Sequence, residues 1–286
     1  MQRTHDASAT LTSERSYLFV PGNRPERFDK ACASGADAVI LDLEDAVAPA
    51  DKAAARESVG AWLAQGGRAY VRINAADTPY YADDIACLVT QGGLKGVVVS
   101  KAAQGAQLHE LAARLPDGAV LLPLIESAAG FDALREIARS PRVARLLFGT
   151  LDFQVDTGVR GVRETLLYFR SMLTFESVLA GIGTPVDGVT ESIDDERRIL
   201  DETRYARDFG FGAKLCIHPR QIASIHAAFD YSGAERDWAQ RVMEALAASQ
   251  GAATTVDGKM VDAPVARKAQ RILGMETDCA GPRPAA

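Results

Sequence analysis

The sequence of 286 residues is poor in the side chains that most often hold zinc or build a disulfide framework. It contains four cysteines (Cys32, Cys87, Cys216 and Cys279) and four histidines. No two cysteines form a C-x-x-C pair and no H-E-x-x-H occurs, so a zinc site is not expected. A chain of this length needs no disulfides to fold, and we therefore expect free thiols in a reducing compartment.

Further absences narrow the class of protein. Lys and Arg number 32 against 38 Asp and Glu, a net charge of −6, so the basic stripe of a nucleic-acid binder is not expected. No apolar run reaches the roughly 18 residues of a membrane helix, and residues 1–15 lack the apolar core of a signal peptide. We therefore expect a cytoplasmic protein that binds neither nucleic acid nor membrane.

Short apolar runs followed by helical stretches recur eight times from Arg15 onward. The eight runs are SYLFVPG, AVILDLED, AYVRIN, GVVVSKA, VLLPLIE, ARLLFGT, PVDGVT and GAKLCIHP. Such near-continuous apolar runs are typical of parallel strands covered on both faces. They predict an α/β fold, a (β/α)8 TIM barrel over residues 15–230. A doubly wound open sheet is the alternative, but no G-x-G-x-x-G follows the first run.

The rest of the chain is predicted to extend the barrel rather than to form a separate domain. Residues 231–274 contain two helical stretches, GAERDWAQRVMEALAASQ and APVARKAQRILG, and form a C-terminal helical extension or lid. The segment GAATTVDGKMVD between them is predicted to be a loop, as is the segment after the sixth strand. Residues 1–14 are predicted to be disordered or extended, and residues 275–286 to be a tail.

Side chains capable of chemistry collect at the C-terminal ends of the predicted strands, where TIM barrels carry their active sites. They are Asp42, Glu44, Asp45, Arg72, Asn74, Ser100, Lys101, Glu126, Asp152 and His218. Glu126 and Asp152 follow neighbouring strands, so both carboxylates can face the barrel mouth. Two close carboxylates repel unless one is protonated or a cation lies between them. Two protein carboxylates completed by waters and substrate oxygens are typical of Mg²⁺ ligation.

Several of these side chains also have a structural interpretation. Glu126 could interact with the N-terminal amides of the following helix, and Asp152 could cap a turn. Arg72 could pair with a carboxylate of the second strand, or its fork could grip a substrate carboxylate or thioester oxygen. Arg24 could bind an anionic substituent, or its segment could start a helix at Pro25.

Seven stretches, in their order and spacing, resemble the citrate lyase beta-subunit-like group of the HpcH/HpaI aldolase/citrate lyase family. They are RSYLFVPGNRPERFDKA, DAVILDLEDAV, YVRIN, PLIESAAG, LLFGTLDF, AKLCIHPRQ and GKMVDAPVARKAQRIL. The resemblance runs from about Arg15 to Gly274. It implies a TIM barrel that binds Mg²⁺ and cleaves or forms a carbon–carbon bond next to a thioester. One position departs from the pattern, because Ser100 stands where the family has Pro before Lys101.

The resemblance also implies roles for individual residues. Glu126 and Asp152 match the Mg²⁺ ligands, and Arg72 matches the carboxylate-binding Arg. The acidic residues Asp42, Glu44 and Asp45 match groups that support the ligands. The other candidate residues for binding substrate or coenzyme A are Arg24, Lys101, His218 and Pro219.

The motif GKMVDAP matches a C-terminal segment of family members that process malyl-CoA or citramalyl-CoA. In those members an Asp of this segment reaches over the active site of a neighbouring subunit. The resemblance therefore implies a catalytic Asp262 that acts across an interface of a homotrimer or a multiple of one. Judged from the residues alone, Asp262 is an N-cap with Pro264 in the first helical turn.

Together these features predict a Mg²⁺-dependent carbon–carbon lyase. Its expected substrate is a carboxylate-bearing 3-hydroxyacyl-CoA of the malyl-, citramalyl- or citryl-CoA type, cleaved to acetyl-CoA and a 2-oxo acid. The alternatives are a citryl lyase subunit that depends on an acyl carrier protein, a malyl-CoA thioesterase or malate-synthase-like enzyme, and an aldolase of free 2-oxo acids. A single methyl group in a pocket is worth only roughly 1–3 kcal/mol, so the sequence does not select one thioester.

Overall fold

The computed structural model describes residues 14–161, 163–249 and 252–275. The N-terminal segment 1–13, the tail 276–286 and Cys279 lie outside the described residues, and so do the predictions made for them. The chain divides into two compact units, Met1–Phe229 and Asp230–Ala286. Among the described cysteines, Cys32, Cys87 and Cys216 are free thiols. Within the same described residues, no helix is both long and apolar enough to cross a membrane.

Eight parallel strands close into a barrel in chain order, which confirms the predicted α/β (β/α)8 fold. The strands are β1 (Ser16–Pro21), β2 (Ala38–Asp42), β3 (Ala69–Ile73), β4 (Leu94–Val99), β5 (Val120–Ile125), β6 (Leu147–Phe148), β7 (Val186–Asp187) and β8 (Ala213–Cys216). Every residue of β2 is buried, as expected for a strand covered on both faces. The weak seventh run forms only the two-residue β7.

Helices pack their apolar sides on the outer face of the strands. They are α1 (Phe28–Cys32), α2 (Lys52–Ala64), α3 (Tyr81–Leu88), α4 (Gly105–Arg114), α5 (Ala128–Asp132), α6 (Leu134–Ala138), α7 (Thr150–Thr157), α8 (Leu167–Ala180), α9 (Glu196–Asp208) and α10 (Ile222–Phe229). Short 3-10 helices lie at Pro25–Arg27, Pro49–Asp51, Glu164–Leu166 and Pro219–Gln221. One continuous core joins the outward strand residues to the helices, with members such as Val39, Val97, Leu63 and Leu108.

The barrel interior is filled by a second cluster that includes Ile40, Val98, Leu122, Leu147 and Leu215. Its N-terminal end is closed by the carboxylate of Glu14, which accepts hydrogen bonds from the hydroxyls of Tyr17 (2.7 Å) and Tyr70 (2.9 Å). Lys95 Nζ donates to the same carboxylate at 2.5 Å. This network occupies the N-terminal end of the barrel, whereas TIM barrels carry their chemistry at the opposite end.

The prediction of a loop after the sixth strand was wrong, because α7 forms there. Its Phe153 is fully buried and packs against Phe169 of α8, with ring centroids 4.4 Å apart. Gly158 ends the helix in the left-handed conformation, with φ of 72°. The buried aromatic side chain thus stabilises a helix too short for the hydrophobic period to reveal.

The second unit consists of α11 (Gly233–Ala248), β9 (Thr254–Val256), β10 (Lys259–Val261) and α12 (Ala263–Ile272). The predicted loop in GAATTVDGKMVD was also wrong, because β9 and β10 form an antiparallel hairpin. Asp257 and Gly258 both have positive φ, 50° and 73°, as a tight two-residue hairpin turn requires. Buried Val242, Val261 and Ile272 belong to the apolar core of this unit.

Candidate active site

Arg72 on β3 is held by the carboxylates that follow β2. Its Nε and Nη2 donate to the two oxygens of Asp42 at 2.7 and 2.5 Å. Its Nη1 lies 2.8 Å from Oε2 of Glu44 and 3.8 Å from Oδ2 of Asp45. The guanidinium also stacks on the ring of Phe19, with Cζ 4.8 Å from the ring centroid. Burial lowers the pKa of Arg72, but the charges of Asp42 and Glu44 outweigh burial and raise the pKa overall. The ion pair that was one interpretation of Arg72 is therefore present, and only the Nη1 edge is directed away from Asp42.

The acidic loop after β2, residues 43–45, is held in place by hydrogen bonds within the loop and from Lys52 and Asn74. The amide of Glu44 donates to Oδ1 of Asp42 at 2.9 Å. Lys52 Nζ donates to the carbonyls of Leu43 (2.9 Å) and Glu44 (2.8 Å), and Asn74 Nδ2 donates to the carbonyl of Leu43 at 2.9 Å. Sequence reasoning missed Lys52, because a lysine at a helix start is ordinarily solvated. Asn74, which the sequence placed at the barrel mouth, serves here to hold this loop.

Glu126 is buried at the end of β5, with 3% of its surface exposed. Its Oε1 accepts a hydrogen bond from the backbone amide of Lys101 at 2.6 Å. The following helix α5 is capped instead by Ser127, whose Oγ accepts from the amide of Gly130 at 3.1 Å. The capping interpretation of Glu126 therefore does not apply, since the adjacent serine performs that role.

The electrostatic environment of Glu126 disfavours its charge. The pKa of Glu126 is raised to about 8, chiefly by burial and also by the charges of Glu44 and Asp152, while the hydrogen bond from the Lys101 amide offsets part of the rise. Burial likewise raises the pKa of Glu44 to about 7, against the charge of Arg72. Asp152 lies in the first turn of α7 and is exposed. The structure thus brings Glu126, Glu44 and Asp152 within electrostatic reach of one another at the barrel mouth.

Two backbone features fix Glu126 in this position. A Cβ added at Gly149 would lie 2.5 Å from Cβ and 2.6 Å from Oε2 of Glu126, so only glycine fits there. Lys101 adopts φ of 50°, a left-handed conformation uncommon for residues other than glycine. The preceding Ser100 is buried and donates its hydroxyl to the carbonyl of Ile73 at 2.8 Å. The Ser100 hydroxyl therefore ties this turn to β3.

The carboxylates at the mouth fit a hard divalent cation. Oε2 of Glu44 is buried, and no described residue directs a hydrogen bond at it, although Arg72 Nη1 lies close. No group of three or more His, Cys, Asp or Glu is arranged to hold a metal in the described part of the chain. The two predicted ligands, Glu126 and Asp152, are carboxylates, and their joint ligation of a cation stays a prediction. That donor set suits Mg²⁺, which retains waters and binds substrate oxygens, and does not suit zinc.

Among the described residues, no hydrogen bond or ion pair joins the side chains of Arg24 and His218 to this cluster. Arg24 is half exposed and pairs with Glu26 at 2.7 Å, just before a 3-10 helix with Pro in its first turn. His218 caps the turn that begins at the exposed Pro219, and its Nδ1 accepts from the amide of Arg220 at 3.2 Å. The helix-start interpretation of Arg24 is thus present, and binding by Arg24, His218 or Pro219 stays a prediction.

Asp262 lies in the second unit, at the start of α12. Its side chain accepts a hydrogen bond from the amide of Val265 at 3.3 Å, and Pro264 lies in the first turn. The N-cap interpretation is therefore realised. The catalytic role that the resemblance implies for Asp262 stays a prediction.

Comparisons with known proteins agree with the fold. A family model described as HpcH/HpaI aldolase/citrate lyase matches residues 15–219. The chain is 35% identical over 280 residues to a citrate lyase subunit beta-like protein of Deinococcus radiodurans, covering 92% of this chain and 97% of the relative. It is 34% identical to a (3S)-malyl-CoA thioesterase of Cereibacter sphaeroides, over 87% of this chain and 89% of the relative. Among solved structures, CitE from Mycobacterium tuberculosis in complex with magnesium, acetoacetate and coenzyme A superposes with a TM-score of 0.83 and 34% identity, covering 92% of this chain and 98% of that chain.

Proposed function

The chain belongs to the HpcH/HpaI aldolase/citrate lyase family, and we propose that it is a Mg²⁺-dependent carbon–carbon lyase of carboxylate-bearing 3-hydroxyacyl-CoA thioesters. The substrate is of the malyl-, citramalyl- or citryl-CoA type, and the products are acetyl-CoA and a 2-oxo acid. The observation that carries the proposal is Glu126, a buried carboxylate with a pKa raised to about 8 beside two other carboxylates. The magnesium and coenzyme A bound to the Mycobacterium tuberculosis relative support the same assignment.

Glu126 and Asp152 are the proposed Mg²⁺ ligands. When bound, Mg²⁺ supplies positive charge that stabilises the negative charge developing on the substrate hydroxyl oxygen next to the carboxylate. The Lys101 amide holds one oxygen of Glu126, so the side chain is oriented before any ligand arrives. Glu44 and Asp45 add negative charge around the ligands and thereby favour a cation.

Arg72 is the proposed anchor for an anionic oxygen of the substrate. Asp42 binds the Nε and Nη2 edge at two points, so the guanidinium cannot rotate freely. The Nη1 edge, which lies 2.8 Å from Glu44, is the edge proposed to bind a carboxylate or the enolate oxygen that forms when the carbon–carbon bond breaks. Because the guanidinium of Arg72 is held in place before the reaction, it can stabilise this oxygen without reorganisation.

Asp262 is the proposed general acid–base, contributed by a neighbouring copy in a homotrimer or a multiple of one. In the cleavage direction it would give a proton to the α-carbon of the enolate, which becomes the methyl group of acetyl-CoA, while the proton of the substrate hydroxyl passes to solvent as the carbonyl of the 2-oxo acid forms. In the synthetic direction it would remove that proton.

A substrate panel tests the proposal. Malyl-, citramalyl- and citryl-CoA are incubated with and without Mg²⁺, and acetyl-CoA, 2-oxo acid and free coenzyme A are quantified. We expect equal amounts of acetyl-CoA and 2-oxo acid from at least one thioester, only with Mg²⁺, and a weaker Mg²⁺ affinity in Glu126→Gln by calorimetry. Turnover of free 2-oxo acids alone, or only of citryl groups on an acyl carrier protein, would contradict it. An unchanged Mg²⁺ affinity in Glu126→Gln would remove Glu126 from the ligand set.

A thioesterase is the second candidate, and the Cereibacter sphaeroides relative favours it. Hydrolysis would release free coenzyme A together with the hydroxy acid, whereas cleavage releases acetyl-CoA. The same panel therefore separates the two activities, because only hydrolysis yields free thiol without a 2-oxo acid.

A further inference from the structure

We propose that a groove between α11 and α12 of the second unit binds a small phosphorylated aromatic ligand of the nucleotide type. The groove has a volume of about 450 Å³. Its walls include Trp238 of α11, Lys259 of β10, and Val265, Lys268 and Ile272 of α12. Small-molecule sites occupy roughly 300–1,000 Å³, whereas an inorganic anion alone would leave most of this space unfilled. We call this site the α11–α12 groove.

Trp238 gives the groove a flat apolar wall. The ring is partly buried and packs against the core of the second unit, to which the buried Ile272 belongs. Trp238 also lines the groove, where Lys268 Nζ lies 5.5 Å from the ring centroid. An indole in this position can stack against the ring of a ligand, as aromatic side chains stack against nucleic-acid bases.

Two lysines give the groove a positive charge. Lys259 and Lys268 are exposed, and among the described residues no carboxylate forms an ion pair with either. The acidic residue of the wall, Glu235, belongs to the cap of α11, where the amide and the hydroxyl of Ser232 each donate to its carboxylate at 2.8 Å. A phosphate monoester carries about −1.5 to −2 charges at neutral pH, whereas a carboxylate carries one. Two ammonium groups on separate elements therefore match a phosphate better than a carboxylate.

The charge around the groove differs from that of the chain as a whole. Residues 231–274 contain six Lys and Arg against five Asp and Glu, although the whole chain has a net charge of −6. Helix α12 carries Arg267, Lys268 and Arg271 and no acidic residue. An anion is therefore attracted to this helix, although the chain as a whole repels it.

The hairpin directs one of the lysines toward the groove. Side chains alternate along a strand, so Lys259 and the buried Val261 lie on one face of β10 and Met260 on the other. Val261 belongs to the core that the hairpin shares with α11 and α12, which places Lys259 on the helix side. The wall residues all belong to the second unit, and none of them is proposed to act in catalysis.

Tryptophan fluorescence tests the groove in the full-length protein. The chain has two tryptophans, and the other one, Trp62, lies in α2. In a Trp62→Phe background, the emission of Trp238 is followed during titration with ADP, coenzyme A or tripolyphosphate. The groove variants in this background are Lys259→Ser and Lys268→Ser. The matched control is Arg267→Ser, which removes the same charge from the same helix as Lys268→Ser, at an exposed position outside the groove wall.

We expect ADP to change the emission of Trp238 saturably, with a dissociation constant below about 1 mM. Lys259→Ser and Lys268→Ser should each raise that constant about 10-fold, because each removes a charge-assisted hydrogen bond, and the control should match its background. Trp238→Leu, measured by calorimetry, should raise the constant at least about 5-fold through the loss of stacking.

Coenzyme A itself contains an adenine nucleotide, so the ligand has two possible sources. Tighter binding of coenzyme A than of ADP would identify coenzyme A as the source, and tighter binding of ADP would identify a free nucleotide. Glu126→Gln should leave ADP binding unchanged, so a failure of the groove and a failure of the proposed reaction can be told apart.

Three results would overturn the proposal. The first is a Trp238 emission that shows no saturable change with either nucleotide. The second is a loss of affinity in Arg267→Ser as large as in the groove variants. The third is tripolyphosphate binding as tight as that of ADP, since the ring would then contribute nothing.

Discussion

Substituting Gly149 by alanine tests how tightly the structure fixes Glu126. The added Cβ would lie 2.5 Å from Cβ and 2.6 Å from Oε2 of Glu126, closer than real Cβ contacts occur. Glu126 is 3% exposed and is held on its other side by the Lys101 amide at 2.6 Å, so it cannot move aside freely. Gly149 itself has φ of −84°, which alanine adopts without strain. Any effect is therefore steric and acts on the carboxylate.

The expected magnitude follows from this overlap. Overpacking of a buried site typically costs about 1–3 kcal/mol of the free energy of unfolding. If Glu126 moves instead and loses the Lys101 amide, Mg²⁺ affinity should fall about 10–100-fold, as when the support of a metal ligand is removed. The two outcomes share one cause, and at least one of them must appear.

Isothermal calorimetry with Mg²⁺ and urea unfolding measure both quantities. Gly92→Ala is the matched control, because a Cβ there meets nothing within 4 Å and its φ lies outside the left-handed region. The control should match the wild type in both assays. If Gly149→Ala also matches the wild type in Mg²⁺ affinity and stability, Glu126 is not confined as described, and the steric argument fails.

Three further outcomes are expected. Lys101→Gly should raise the free energy of unfolding by about 0.5–1 kcal/mol, because it relieves the left-handed strain at φ of 50°; a destabilised variant in urea unfolding would contradict this. Burial raises the pKa of Asp187, but the charges of Lys214 and Arg170 outweigh burial and lower the pKa overall. The stability that the ionised Asp187 contributes to the fold is therefore present above the unfolded pKa of about 4 and is lost as pH falls through the folded value. Asp187→Asn should therefore cost about 3–5 kcal/mol at neutral pH, with a gap to the wild type that shrinks in acid; a gap that stays constant on acidification would refute the linkage. Asp262→Asn should keep the helix cap and the Mg²⁺ affinity yet abolish turnover, whereas Asp262→Ala should also lose about 1 kcal/mol of stability; an active asparagine variant would exclude Asp262 from proton transfer.

The barrel could be predicted because the pattern that each strand requires lies within a short stretch of sequence. A parallel strand covered on both faces needs a near-continuous apolar run, and eight such runs followed by helical stretches leave few alternatives. The hairpin of the second unit was missed although Asp257-Gly258 lies between two short β-prone segments, a recognised signal for a two-residue turn. The error came from giving weight to the polar composition of the segment rather than to its turn residues.

The support of the candidate site was not predictable, because it depends on contacts between distant parts of the chain. Neither the left-handed turn at Lys101 nor the need for glycine at position 149 can be recognised until β4, β5 and β6 are adjacent. The burial of Lys52 likewise appears only when the loop after β2 closes over it. Arg72 shows a different limit. Its structural interpretation is realised twice, because Asp42 occupies one edge of the guanidinium and Glu44 lies 2.8 Å from Nη1 on the other, and the sequence does not show that a substrate would have to share this second edge with Glu44.

The balance of charge at the barrel mouth argues for a cation independently of family membership. Five carboxylates, those of Asp42, Glu44, Asp45, Glu126 and Asp152, gather near the cations Arg72 and Lys52. Without a metal, Glu126 with a pKa of about 8 holds a proton at neutral pH, so a metal ion and a proton compete for it. The proposed substrate is itself an anion, and it would approach this cluster only against repulsion. A divalent cation removes both obstacles, since it neutralises the carboxylates and offers the substrate oxygens a charge to bind. The burial that makes Glu126 unfavourable as a free anion would thus make metal binding a precondition for binding the proposed substrate.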